Sequence, residues 1–223
     1  MSNEIFMDLD FFPLMGEPLH PGNTAIIDLT EANEGLKSVD LQNTMVFETF
    51  IWQEIGAKKY GIGGYMEQRD IYKRSEVFAL EEAFRNIHLG IDIWAEAGTP
   101  IYAPFPGKIH SFKDNRGFGN YGPTIIIEHE IKGQLIYSLY GHLALSDLED
   151  LYEGMAIATG SVICRLGEHE ENGNWPPHLH FQLMKGMEGL KGDFPGVSSS
   201  SDAGYYKEIC PDPNLIIGFT GLK

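Results

Sequence analysis

From Ile87 onward, short apolar stretches recur between glycines and prolines: Ile87 to Trp94, Pro100 to Ala103, Lys108 to Phe112, Thr124 to Glu130, Gln134 to Tyr140, Ala156 to Leu166 and His178 to Met184. Stretches of this length, separated by turn residues, predict a mostly antiparallel β domain. The clearest alternation is His178-Leu179-His180-Phe181-Gln182-Leu183. A period of two reads as a half-buried strand, with both imidazoles on one face and Leu179 and Phe181 pointing into a core. Pro176-Pro177 ahead of it can neither continue a helix nor pair centrally in a sheet. Two segments are faintly alike. Gly98 to Ala103 leads to Gly107-Lys108-Ile109, and Gly154 to Ala158 leads to Gly160 to Ile163. Such a pair hints at an internally repeated sandwich or barrel.

The first half has a different pattern. Residues 1 to about 37 are irregular and rich in Pro, Gly, Asn and Asp, and read as an arm packed on the domain by Phe6, Phe11, Phe12 and Leu14, with a short strand at Ile26-Ile27. Residues 38 to 59 carry Val46, Phe47, Phe50, Ile51 and Ile55 at helical spacing; Ser38 or Asp40 caps the start and Gly56 ends it. Gly61 to Gly64 reads as a glycine-rich turn, and Glu67, Arg69 and Tyr72 after it by default as a surface ion pair, with lining a cleft as the alternative. Residues 144 to 152 make one short helical excursion, and the tail wraps back over the sheet through Phe194, Ile209 and Leu215 to Phe219. The organisation expected is an N-terminal arm and helical extension over 1–84, followed by a β domain with a wrapping tail over 85–223.

Composition narrows the function classes. The chain has 223 residues, 32 acidic against 16 basic, and a formal net charge of -16. With no Lys/Arg run, nucleic acid and anionic membrane surfaces are not its partners. No apolar run is long enough to span a bilayer. The first sixteen residues have no basic n-region and are interrupted by Glu4, Asp8 and Asp10, so they form no recognisable signal peptide. That points to the cytoplasm, or to the periplasm or exterior if a leader precedes the recorded chain. Cys164 and Cys210 are far apart and read as two buried thiols rather than a zinc-type pair.

Three pieces carry chemistry. His178-Leu179-His180 is the first. His88-Leu89-Gly90-Ile91-Asp92 is the second: on one strand His88 and Asp92 share a face, and Gly90 leaves room above the backbone. One His and one carboxylate from this strand plus one His from another make three protein ligands with a position left for water, the catalytic zinc pattern. Tyr140-Gly141-His142-Leu143 is the third, and places another imidazole at a strand end. Single histidines on strands are usually structural, which is how His20, His110, His129 and His169 read. Four imidazoles and a carboxylate at strand ends are harder to explain that way, because burying them without a role costs free energy.

Together these pieces resemble the M23 zinc metallopeptidases, the lysostaphin-like or LytM-type endopeptidases, over roughly residues 85 to 184. His-x-Gly-x-Asp stands at 88–92, Ala-Gly-Thr-Pro-Ile-Tyr-Ala-Pro-x-Pro-Gly at 97–107, Tyr-Gly-His-Leu at 140–143 and Pro-His-Leu-His-Phe at 177–181. The resemblance implies one Zn2+ per chain held by His88, Asp92 and His180, with His142 and His178 as catalytic imidazoles, one the general base and the other stabilising the tetrahedral intermediate. It implies the largely antiparallel "duplicated hybrid motif" fold, a sandwich or barrel-like arrangement, here with an N-terminal helical embellishment. The implied reaction is hydrolysis of a peptide bond by zinc-activated water, in a peptidoglycan-like or other small peptide. Tyr65, Arg69, Arg85 and Tyr140 are candidate substrate contacts, with Tyr72 a further tyrosine at hand. A narrower resemblance rests on Ile62 to Arg69, Asn172 to Trp175, Phe194 to Val197 and Pro211 to Asn214, and is to the M23-type domain fused to class III aminotransferases; it implies a substrate outside the cell wall. The competing reading is a non-catalytic module that binds a small molecule or partner on the same sheet, and a metal site closed by four protein ligands would favour it. A phosphocarrier domain of the same superfamily is disfavoured by Asp92, whose charge would repel a phosphoryl donor.

Overall fold

The computed structural model describes residues 3–78 and 84–222. In chain order the regular elements begin with β1 (Thr24–Ile26), α1 (Thr44–Ile55) and β2 (Tyr60–Gly63). There follow β3 (Arg85–His88), β4 (Ile91–Trp94), β5 (Pro100–Tyr102), β6 (Gly107–Asn115), β7 (Gly122–Ile131) and β8 (Gln134–Gly141). The last are β9 (Ala156–Ile157), β10 (Val162–Arg165), β11 (His178–Met184), β12 (Val197–Ser199), α2 (Ala203–Ile209) and α3 (Asn214–Ile217). The fold is mostly β. One eight-stranded sheet runs β1-β2-β4-β11-β8-β7-β6-β9, antiparallel except for the parallel β1–β2 pair. Two ribbons, β10-β5 and β12-β3, accompany it. The faint repeat is visible in the pairing: β5 joins β10 and β6 joins β9, so each strand of the first copy takes the other strand of the second as its partner.

The period-two reading of β11 holds in three dimensions. Leu179, Phe181 and Leu183 enter the main core with Ile62, Ile91, Ile93, Ile125, Ile127 and Tyr140, all fully buried. His178, His180 and Gln182 face the other way. There Phe47, Ile51, Tyr72, Trp94 and Trp175 form a second cluster, and Leu139, Met184, Phe194 and Cys210 a third. The tail lies over the sheet through Phe194 and Phe219, and both cysteines are buried and free. Among the described residues no helix is long and apolar enough to cross a membrane.

Three local expectations are corrected. The cap of α1 is Asn43, not Ser38 or Asp40: its side chain accepts from Met45 N and Val46 N, while residues 36–38 form a separate 3-10 turn. Phe47, Phe50, Ile51 and Ile55 are buried and Val46 is exposed, and α1 ends at Gly56 with φ +60°. The second correction concerns Gly61 to Gly63, which is buried strand rather than turn. It pairs with β1 on one side and β4 on the other, so its backbone groups are satisfied without side chains. The third is the segment from His88 to Asp92, which is not one strand. The chain bends at Leu89-Gly90, β3 pairs with β12 and β4 joins the main sheet, and the bend rather than strand parity aims both side chains at one point.

Candidate metal centre

Register brings the ligand candidates together. In the β4–β11 pair His180 lies opposite Asp92 and His178 opposite Trp94, all on the face away from the main core. His88 reaches the same point from the end of β3. Its Nε2 is 3.0 Å from His180 Nδ1 and 3.2 Å from Asp92 Oδ1, and His180 Nδ1 is 3.2 Å from that same oxygen. His88, Asp92 and His180 are the metal-capable cluster among the described residues, and all three are buried. The edge of a zinc tetrahedron with bonds of about 2.0–2.1 Å is about 3.3–3.4 Å, close to these separations.

The outer hydrogen bonds decide which atoms carry protons. His88 Nδ1 donates to Gly64 O at 3.0 Å, so its Nε2 is a bare lone pair. His180 Nε2 donates to Gln182 Oε1 at 2.9 Å, which leaves Nδ1 bare. Gln182 is itself fixed in that orientation by donating its amide to Pro195 O and Cys210 Sγ. Two imidazole lone pairs and a carboxylate oxygen thus converge with no proton between them. This donor set is repulsive alone and suits a divalent cation. Burial, with the Arg69 charge behind it, pushes the His88 pKa down to about 4, which keeps the ring neutral and able to ligate near pH 7. Burial works against the Asp92 charge as well, yet the positive charge beside it, that of Arg69, holds its carboxyl well below the usual range.

His142 and His178 stand next to this cluster, their ring centroids 4.1 Å apart. His142 Nδ1 donates to Asn172 O at 2.8 Å and His178 Nδ1 to Pro176 O at 2.7 Å. Both therefore present an unprotonated Nε2, and that of His178 is 3.8 Å from Asp92 Oδ1. Burial lowers both pKa values from the ordinary 6.5. His178 also stacks on Trp94, at 5.6 Å and 22°. The loop beneath His142 is organised by the fully buried Asn172, which donates to Gly167 O and Trp175 O and accepts from Trp175 N. His142 itself sits at φ +64°, a left-handed conformation uncommon outside glycine, held there by its backbone bond to Tyr121 O and its side-chain bond to Asn172 O.

Comparison with protein-family models matches residues 86–192 to peptidase family M23. Over this segment, just under half of its length, the chain is similar to that family. Among solved structures, the chain is similar to a Pseudomonas aeruginosa protein assigned to peptidase M23, at 26% identity over 59% of this chain and 44% of that one, with a TM-score of 0.38. It is also similar to the catalytic domain, solved as a mutant, of the prophage-encoded M23 protein EnpA from Enterococcus faecalis. That match has 25% identity, covers 50% of this chain and 80% of the other, and has a TM-score of 0.38. A zinc-containing peptidase from Vibrio cholerae matches at 25% identity, over 44% and 27% of the two chains, with a TM-score of 0.35. This chain spans less than half the length of the first of these structures. Comparison with curated proteins found no match.

Around His88, Asp92, His142, His178 and His180 lies a pocket of about 320 Å³, with Phe47, Tyr72, Phe78, Trp94, Trp175 and Phe194 among its aromatic walls. Much of the wall comes from outside the family segment: α1 and residues 69–78 on one side, residues 193–197 on the other. Of the candidate substrate contacts, Arg69 and Arg85 line this pocket. Tyr140 does not: it lies in the main core, paired with Phe181 across the sheet, and its hydroxyl accepts from Ser138. Tyr65 is not among the lining residues either, and its hydroxyl donates to Cys210 O. The reading of Glu67 and Arg69 as a surface pair is also corrected. Arg69 is fully buried, and its Nη1 donates to Asp92 Oδ2 at 2.5 Å. A residue missed in the sequence is Tyr121, whose hydroxyl is 3.5 Å from His180 Nε2 and whose pKa burial holds well above 10. The irregular segment ahead of β7 that carries it has no periodicity to announce it.

Proposed function

We propose that the protein is a zinc-dependent peptidase, an endopeptidase that hydrolyses a peptide bond in a peptidoglycan-like or other short peptide. The observation that carries this reading is the meeting of three unprotonated ligand atoms within 3.2 Å, beside two imidazoles whose Nε2 atoms are free. His88, Asp92 and His180 hold the zinc. Zinc there supplies a Lewis acid that activates water and polarises a carbonyl. Either His178 or His142 accepts the proton of the attacking water at Nε2 and returns it to the leaving amine. The second histidine, neutral at rest with Nδ1–H committed to a backbone carbonyl, stabilises the tetrahedral intermediate by taking up a solvent proton at Nε2 as negative charge develops beside it. Tyr121, kept protonated by burial, adds a neutral phenolic donor to the pocket. The aromatic walls take the side chains that flank the scissile bond.

The non-catalytic reading loses ground because the cluster among the described residues has three protein ligands rather than four. The test is cleavage of a panel of short peptides and of intact peptidoglycan by the zinc-loaded protein, read as newly formed amino termini. His142→Ala is expected to keep its zinc and lose turnover. Wild-type turnover in that variant would overturn the assignment of His142.

A further inference from the structure

Arg69 lies outside the family-matched segment, yet it bonds directly to Asp92, a proposed metal ligand. We infer that Arg69 is a positioning residue of the metal centre, holding one oxygen of Asp92 so that only the other faces the two ligand imidazoles; this rests on the metal reading given above. The geometry is specific. Nη1 donates to Oδ2 at 2.5 Å, while Oδ1 is the atom 3.2 Å from both His88 Nε2 and His180 Nδ1. The carboxylate is thereby set to bind through one oxygen, and its plane cannot rotate without breaking a charge-assisted bond.

The guanidinium is itself held on several sides. Nε donates to Glu67 Oε2 at 2.5 Å, and Nη1 also lies 3.5 Å from the Tyr72 hydroxyl. The Arg69 backbone N–H donates to Asn86 O at 2.9 Å, tying residue 69 to β3 two residues before His88. Gly63 makes the space: a Cβ there would stand 2.9 Å from Arg69 Nη2 and 2.7 Å from the Trp94 ring. Glu67 holds the guanidinium from the side away from Asp92's bond, through Nε rather than Nη1. The same short stretch orients a second ligand, because Gly64 O receives His88 Nδ1–H and Met66 N–H donates to His88 O. Residues 63–69 therefore form the outer shell for two of the three ligands. A lysine cannot take the place of Arg69, since one ammonium has no planar fork to span Glu67 and Asp92 together.

The test measures zinc affinity by chelator competition on the full chain, for wild type, Arg69→Lys, Arg69→Met and the double variant Glu67→Gln/Arg69→Met. Arg69→Met alone leaves the partly buried Glu67 without its cation, so the double variant, loaded with zinc to balance Asp92, is the one expected to fold like wild type by circular dichroism. Loss of an outer-shell partner is expected to weaken zinc binding by about 10–100-fold in the double variant, with Arg69→Lys in between. Cobalt(II) substitution supplies a second readout that a merely structural role would not move. Freed from Arg69, the carboxylate binds through both oxygens, and the visible d–d absorption weakens as the coordination number rises. A folded double variant with zinc affinity within about twofold of wild type and an unchanged cobalt spectrum overturns the inference. Wild type that binds no zinc overturns the metal reading and this inference with it.

Discussion

Gly90 is the position where one methyl group should dismantle the site. It stands at the bend between β3 and β4, and a Cβ built there would be 2.7 Å from His180 Cε1, 2.7 Å from His180 Nε2 and 2.7 Å from Phe181 O. Ordinary contact begins near 3.4 Å, so about 0.7 Å must be found. Phe181 O belongs to the central strand β11, paired on both sides, and cannot retreat. The imidazole of His180 must therefore move, or the bend that aims His88 must open. Either motion displaces a ligand atom by several times the roughly 0.2 Å that metal sites tolerate, and a misplacement near 1 Å costs about 100-fold in turnover. Gly90→Ala should bind zinc at least about 10-fold more weakly and lose most of the proposed peptidase activity, with the β-rich circular dichroism spectrum retained. The assay is zinc retention after dialysis against a weak chelator, alongside cleavage rate. Wild-type affinity and rate in Gly90→Ala would refute the close approach of His180 to this backbone.

Two other expectations follow from the same structure. Zinc at 100 times its dissociation constant should stabilise the fold by about 2.7 kcal/mol, a rise in melting temperature of about 5–10 °C for a chain of this size, and chelation or His180→Ala should abolish the rise; a zinc-independent melting curve would contradict the site. His129, buried against Pro106 O and Ser138, has its pKa pushed down to about 4 by burial from an ordinary 6.5. Between those values the unfolded chain binds a proton that the folded one refuses, so stability falls as pH drops through this window, by about 3 kcal/mol in all. His129→Gln should flatten this part of the urea-denaturation profile, and identical slopes for the two proteins would refute the assignment.

Much of the site was legible because imidazoles, a carboxylate and glycines at short spacings are scarce in ordinary strands. The alternation of His178 to Leu183 gave the facing of β11 directly, since period two needs no knowledge of partners. What sequence could not supply was everything set by remote packing. The burial of Arg69 depends on Asp92, 23 residues later, and on the space above Gly63. Gly61 to Gly63 looks like a turn until β1 and β4 are placed on either side of it. Tyr140 adjoins the His142 motif in sequence, but its pairing with Phe181 turns it into the main core, whereas Gly141 opposite His180 shares the site face. Tyr121 enters only because β7 follows it beside β8, which carries the chain to Gly141.

The most direct test is the zinc content of the purified chain, wild type beside His180→Ala, after equilibration with buffered zinc. The account predicts about one zinc per chain in wild type and none in the variant, because His88 and Asp92 alone cannot retain the ion. A wild type that takes up no zinc, or a His180→Ala protein that holds as much as wild type, would mean that these three side chains are not a metal site.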